Sequence, residues 1–351
     1  MLPASTHPIR ALIDDMGLAA HPRLQNSWPE ARQVLDMLEV KAPDAHQLGR
    51  LRRLGSDLLD LRPARQSELM PLFSVHGVDL TGQRTTALDI SVTVRRPRLV
   101  HVHFGDRRWA LRLDEADPPV PPEPLLDALR QRADKAGAAE SLVVRVHLDA
   151  LSGAALEAAD AVSWERLLWT EDGPVAHHLV RVVASSPVPR TPENIDKVAF
   201  FAQHETTATT AGPERVAVES AWPGRITPGT LHGDLAHIHA HGTAGFVQGL
   251  DPGDVSAWAV VVNACQGARS GGHVRRLVRK GRVAHAMGFV DNVTASVTET
   301  VARVWHHEVA AAQADLGRSV WRAGVAVRAA LGAQPSAWLW RHYTSKRADD
   351  L

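Results

Sequence analysis

Two stretches decide the fold: Leu235-Ala236-His237-Ile238-His239-Ala240-His241-Gly242 and Val260-Val261-Val262-Asn263-Ala264-Cys265-Gln266-Gly267. Each is a short apolar run that breaks at a glycine, the pattern of a buried strand rather than a long helix. Each also ends in a reactive group. Ligands and catalytic groups gather outside the carboxyl ends of strands in a parallel sheet, so His241 and Cys265 meet if these two strands are neighbours. A cysteine thiolate is a nucleophile, and an adjacent histidine can generate it and later protonate a leaving amine. Gly242 adds a backbone amide free of side-chain crowding. With the amide of Cys265 it forms a pair of donors for the oxyanion of a tetrahedral intermediate.

Outward from this pair, apolar runs alternate with helical stretches, as expected of an α/β layer fold with a mostly parallel sheet. Strands are predicted over Leu142 to Leu148, Lys197 to Ala202, Arg215 to Glu219, Leu235 to Ala240, Ala257 to Asn263 and Val283 to Phe289. Helices are predicted near Pro124 to Lys135, Gly272 to Lys280, Ala295 to Ala312 and Gly317 to Leu331. Upstream, Ser27, Pro29 and Glu30 open one helix, and Leu48, Leu51, Leu54 and Leu58 line another. From residue 87 the period becomes two, and the turns Arg96-Pro97 and Gly105-Asp106 divide a three-stranded antiparallel meander. The proline-rich run Asp117 to Pro124 marks a module boundary.

Composition narrows the function. In the 351 residues Lys plus Arg equals Asp plus Glu at 39 each, so no uniform field exists to hold nucleic acid or an anionic membrane, and neither is an expected partner. No run of 18 apolar residues is present, and Met1 to Arg10 lacks the basic-then-apolar order of a signal peptide. A cytoplasmic location is expected. Cys265 is the single cysteine, which excludes an intrachain disulfide and any zinc site needing two thiolates. There is no Walker-type loop, and no cofactor or metal is expected.

His237, His239 and His241 alternate along one strand and share one face, which leaves a zinc hydrolase as a rival reading without a third-ligand motif to complete it. In the preferred reading His237 and His239 pack beneath the site. His306 and His307 read as surface or satisfied core groups, and Arg275, Arg276, Arg279 and Lys280 as the solvated face of a helix. Trp338 and Trp340, followed by Arg341, His342 and Tyr343, are candidates to dock the tail on another module.

The strand ending His-Ala-His-Gly, followed by Val-Val-Val-Asn-Ala-Cys-Gln-Gly, resembles the CHAT branch of the caspase-like (clan CD) cysteine peptidases. Ser163-Trp164-Glu165-Arg166-Leu167-Leu168 is similar to that family's Pro-Trp-Glu-Leu-Leu segment, with Ser163 in place of proline. Lys280 to Ala284, Gly288 to Thr294, Val301 to Val309 and Ala323 to Leu331 resemble its later elements. The resemblance spans residues 125 to 335. It implies a caspase-like three-layer α/β/α sandwich with a mostly parallel sheet, preceded by a helical and β-meander module (1 to 120) and followed by a tail (336 to 351).

It also implies a regulated cysteine endopeptidase with Cys265 as nucleophile and His241 as general base and acid. Such an enzyme would act on a specific protein substrate in a prokaryotic defence or programmed-death module. A regulatory protein or signal would act through the N-terminal module. The first 120 residues carry no 34-residue period, so they are not a tetratricopeptide array. The resemblance places Glu205 and Asp291 at the pocket for the residue before the scissile bond. A catalytically degenerate scaffold or sensor is the alternative.

Overall fold

A computed structural model describes residues 7–24, 27–38, 45–62, 65–76, 78, 80, 84–96, 98–113, 119–134, 140–170, 173–174, 178–184, 189–203, 211–269, 272–280, 282–312, 316–332 and 339–345. The chain divides into two compact units, Met1–Thr86 with Ala136–Ser141, and Ala87–Lys135 with Leu142–Leu351. The smaller unit holds α1 (Pro8–Asp15), α2 (Ser27–Leu38), α3 (Ala45–Leu61) and α4 (Gln66–Ser74). Ile9, Ile13, Val34, Leu35, Leu51, Leu54, Leu58 and Phe73 meet in its core, as the helical spacing of the leucines requires. The sequence reading found α2 and α3 but not α1 or α4. Pro8 opens α1 with His7 Nδ1 accepting the Ile9 amide at 3.3 Å, and Pro71 lies inside α4, so both helices carry a residue usually read as a breaker.

The larger unit begins within β1 (Arg84–Arg96), at Ala87, and continues through β2 (Leu99–Phe104), β3 (Arg107–Arg112), α5 (Glu123–Asp134), β4 (Glu140–His147, from Leu142 on) and α6 (Gly153–Ala161). The short strands β5 (Trp169–Thr170) and β6 (Gly173–Pro174) precede β7 (His178–Ala184), β8 (Val198–Ala202), α7 (Ala211–Ala221) and β9 (Ile226–Pro228). Then come β10 (Leu235–His239), the hairpin β11 (Gly242–Thr243) and β12 (Phe246–Val247), and β13 (Ala257–Asn263). The chain closes with α8 (His273–Arg279), β14 (Val283–Phe289), α9 (Ala295–Ala311), α10 (Leu316–Leu331) and β15 (Trp340–Ser345).

One mixed, mostly parallel sheet of eleven strands runs β3-β2-β1-β4-β7-β15-β14-β13-β10-β8-β9. The strands β14, β13, β10, β8 and β9 form one parallel block, and β4, β7 and β15 a second, joined where β15 meets β14 antiparallel. Every residue of β10, β13 and β14 is buried, because helices cover both faces. Leu125 and Leu129 of α5, Leu156 of α6 and Leu277 of α8 pack on one side. Val218 of α7, Val301 and Trp305 of α9 and Val320 and Val327 of α10 pack on the other. The chain is therefore an α/β protein in three layers. Among the described residues no helix is long and apolar enough to cross a membrane.

The structure departs from the sequence reading at three places. Arg215 to Glu219 is helix, not strand: Glu214, Ala217 and Val218 are buried at helical spacing while Val216 is exposed. The meander is not part of the helical module, since β1 to β3 extend the large sheet. Nor is the C-terminal segment a tail: Trp340 to Ser345 is a fully buried strand between β7 and β14, so Trp340, Arg341, His342 and Tyr343 pack within their own unit. Trp338 lies outside the described residues.

Candidate active site

β10 and β13 are direct parallel neighbours, with His237 opposite Val261 and His239 opposite Asn263. Two residues further, in the same phase, stand His241 and Cys265. The Ala240 amide donates to the Asn263 carbonyl at 3.3 Å and holds the two strand ends together. Gly242 follows, and no other residue fits there: a Cβ would run into the carbonyl oxygen of Cys265 and sit 3.2 Å from that of Phe246. In the β11/β12 hairpin Gly242 pairs with Val247, and the Gln248 amide donates to the His241 carbonyl at 2.8 Å. That makes Gly242 and Val247 a non-hydrogen-bonded pair, so the Gly242 N–H points out of the hairpin.

His241 is exposed and its amide donates to Gln203 Oε1 at 3.3 Å. The Cys265 thiol is partly exposed, and its polar contact is the Val293 carbonyl at 3.9 Å, long even for sulfur. Among the described residues no hydrogen bond joins the His241 ring to this thiol. Resting sites often keep such bonds open until substrate binds. Asp291 belongs to the loop after β14, where its carbonyl accepts the Gln266 amide at 3.2 Å and its Oδ1 accepts the Asn292 amide at 2.8 Å. It is exposed and stands beside the cysteine turn. Glu205, the second expected pocket acid, lies outside the described residues.

Beneath the strand ends lies a buried polar network that the sequence reading missed. Glu214 of α7 is fully buried and accepts from His237 Nε2 at 2.8 Å, His239 Nδ1 at 3.0 Å and Asn263 Nδ2 at 2.9 Å. His237 Nδ1 lies 3.0 Å from His306 Nε2, and His306 Nδ1 accepts from Trp222 Nε1 at 3.0 Å. Burial alone would raise the Glu214 carboxyl, but the hydrogen bonds donated by His237 and His239 hold it well below the usual carboxylate range. Burial pushes His306 far below the usual imidazole value. The rings of His237 and His239 are thus turned to a carboxylate. Among the described residues no group of three or more His, Cys, Asp or Glu is spaced to hold a metal ion. The signal for Glu214 was obscured because its segment was read as loop and strand.

The segment 163 to 168 acquires a structural meaning. Trp164 is buried, with its Nε1 donating to the Ala159 carbonyl at 2.9 Å. Glu165 pairs with the fully buried Arg181, whose Nη2 donates to its Oε2 at 2.9 Å. Burial raises the Glu165 carboxyl, yet the Arg181 guanidinium outweighs it and brings it down to about 2. The Arg275 to Lys280 helix is only partly solvated, as Arg275 is buried against Asp160 at 3.0 Å and also meets Glu157, while Arg276, Arg279 and Lys280 are exposed. His307, by contrast, is exposed, with its Nε2 3.1 Å from the Ser220 hydroxyl.

No protein-family model matches the chain, and no curated protein matches it.

Proposed function

We propose that the chain is a cysteine endopeptidase of caspase-like architecture, with Cys265 as nucleophile, His241 as general base and acid, and the Gly242 and Cys265 amides as oxyanion donors. The observation that carries this reading is the seating of Gly242 against the Cys265 carbonyl at the ends of adjacent parallel strands. That contact brings the two expected halves of the site to one place, on the edge where strand carboxyl ends collect ligands. Catalysis would begin with transfer of the Cys265 proton to His241. The thiolate then adds to the scissile carbonyl, and the negative oxygen is received by the two amides. Collapse breaks the C–N bond as the imidazolium returns the proton to the leaving amine. Water, deprotonated by the same imidazole, hydrolyses the thioester.

A specific protein substrate, a regulatory protein or signal acting through the N-terminal module, a cytoplasmic location and a role in prokaryotic defence or programmed death complete the proposal. A second reading, a degenerate scaffold or sensor, is favoured by the open His241 to Cys265 geometry. Incubating the purified chain with a cell-derived protein mixture and mapping new N-termini separates the two. The peptidase yields cleavages that vanish in Cys265→Ala and His241→Ala, both melting near the wild-type temperature, and the scaffold yields none.

A further inference from the structure

We propose that Gln266 is a positioning residue, latching the Gly242 hairpin to the Cys265 turn and so setting the spacing of the two oxyanion donors; this rests on the acyl-transfer reading above. Among the described residues, two non-glycine residues have φ in the left-handed region, Ala244 at 49° and Gln266 at 57°. They are bonded to each other, the Ala244 amide donating to Gln266 Oε1 at 2.7 Å. A residue with a Cβ is held there against its own preference and persists only where its surroundings over-determine it.

Gln266 is over-determined. Its amide donates to the Asp291 carbonyl at 3.2 Å, its carbonyl accepts the Arg269 amide at 3.0 Å, and its Nε2 donates to Asn292 Oδ1 at 3.3 Å. One side chain thus ties three loops: the tip of the β11/β12 hairpin, the cysteine turn and the turn after β14. A turn that merely needed positive φ would be served better by glycine, which stands one residue later at Gly267. The long amide is explained by what its two ends hold.

The consequence is local. His241 is anchored separately, its amide on Gln203 and its carbonyl on the Gln248 amide, and the Cys265 thiol contacts Val293. Releasing the latch frees the hairpin tip that positions Gly242, while the contacts that hold the His241 backbone and the Cys265 thiol do not pass through the Gln266 side chain.

Two small probes read these parts apart. Acylation by p-nitrophenyl acetate forms a thioester at Cys265 and expels p-nitrophenolate through a tetrahedral oxyanion, whereas alkylation by iodoacetamide displaces iodide and forms no oxyanion. Gln266→Gly relieves the backbone and removes the latch. It is expected to slow acylation at least tenfold, leave alkylation within about twofold, and melt within about 4 °C of wild type. Gln266→Glu keeps an acceptor for the Ala244 amide but loses the donor to Asn292 and adds a negative charge, and is expected to recover only part of the acylation rate. Equal acylation in wild type and a folded Gln266→Gly, or a parallel loss of acylation and alkylation, overturns the latch. A wild-type chain inert to both probes overturns the acyl-transfer reading itself, and the latch with it.

Discussion

The indole Nε1–H of Trp222 donates to Nδ1 of His306 at 3.0 Å, and this one bond orders every proton down to Glu214. Indole can only donate, so His306 Nδ1 is an acceptor and the proton of the neutral ring sits on Nε2. That proton faces His237 Nδ1 at 3.0 Å, which places the His237 proton on Nε2, 2.8 Å from Glu214. The chain ends on a carboxylate beneath the carboxyl ends of β10 and β13.

Trp222→Phe keeps the ring and removes the donor, leaving the buried His306 Nδ1 without its partner. A loss of about 1–3 kcal/mol in unfolding free energy is expected, read from urea midpoints at unchanged m-value. Stability equal to wild type would mean that the chain has no fixed direction.

Acid should destabilise the fold well before ordinary carboxylates titrate. His178, His285 and His342 are buried together where β7, β15 and β14 meet, and burial lowers all three, His285 to about 3. His306 shifts the same way for the same cause. The unfolded chain takes these protons near 6.5, the ordinary imidazole value, while the folded chain does not. Stability is therefore fully present above that pH and declines as pH falls toward the folded values. Denaturant midpoints at pH 7.5, 6.5, 5.5 and 5.0 should fall steadily below 6.5, and a flat profile over that range would contradict the assignment of these rings as neutral.

The Glu165–Arg181 pair is expected to be the costliest polar contact to break. Both partners are buried, so Glu165→Gln leaves the Arg181 guanidinium with Asp160, which Arg275 also engages, as its remaining ionic partner and should cost about 3 kcal/mol. His241→Ala, at an exposed position, should melt close to wild type. Reversal of that order in thermal denaturation would reject it.

Specificity is expected to favour Lys or Arg before the scissile bond, because the exposed Asp291 carboxylate stands beside the cysteine turn. Each charge-assisted hydrogen bond is worth roughly 1.5–3 kcal/mol. A peptide library should show this preference collapsing in Asp291→Ala, whereas cleavage after acidic or small apolar residues rejects the pocket.

Much of this architecture was legible in the sequence. β13 and β14 were placed residue for residue, because strands buried on both faces carry near-continuous apolar runs, broken within β14 at His285 alone. β7 and β15 were missed although each is fully buried, since His178, Arg181, Arg341 and His342 interrupt the apolar pattern. Their partners are distant in sequence: Arg181 is neutralised by Glu165 and Asp160, and His178 bonds His342 at 2.8 Å. The adjacency of the two strands that lead to His241 and Cys265 was inferable from their apolar runs. Glu214 was not, because its role depends on a helix packing its one buried acid onto the far side of β10.

Cys265 is the sole cysteine, so labelling stoichiometry has one interpretation. Iodoacetamide should modify the folded wild-type chain once at pH 7, faster than a model thiol, and the rate should fall at least tenfold in His241→Ala. EDTA should leave it unchanged. A folded chain that takes up label no faster than the model thiol, or whose labelling ignores the loss of His241, contradicts a nucleophile served by that histidine.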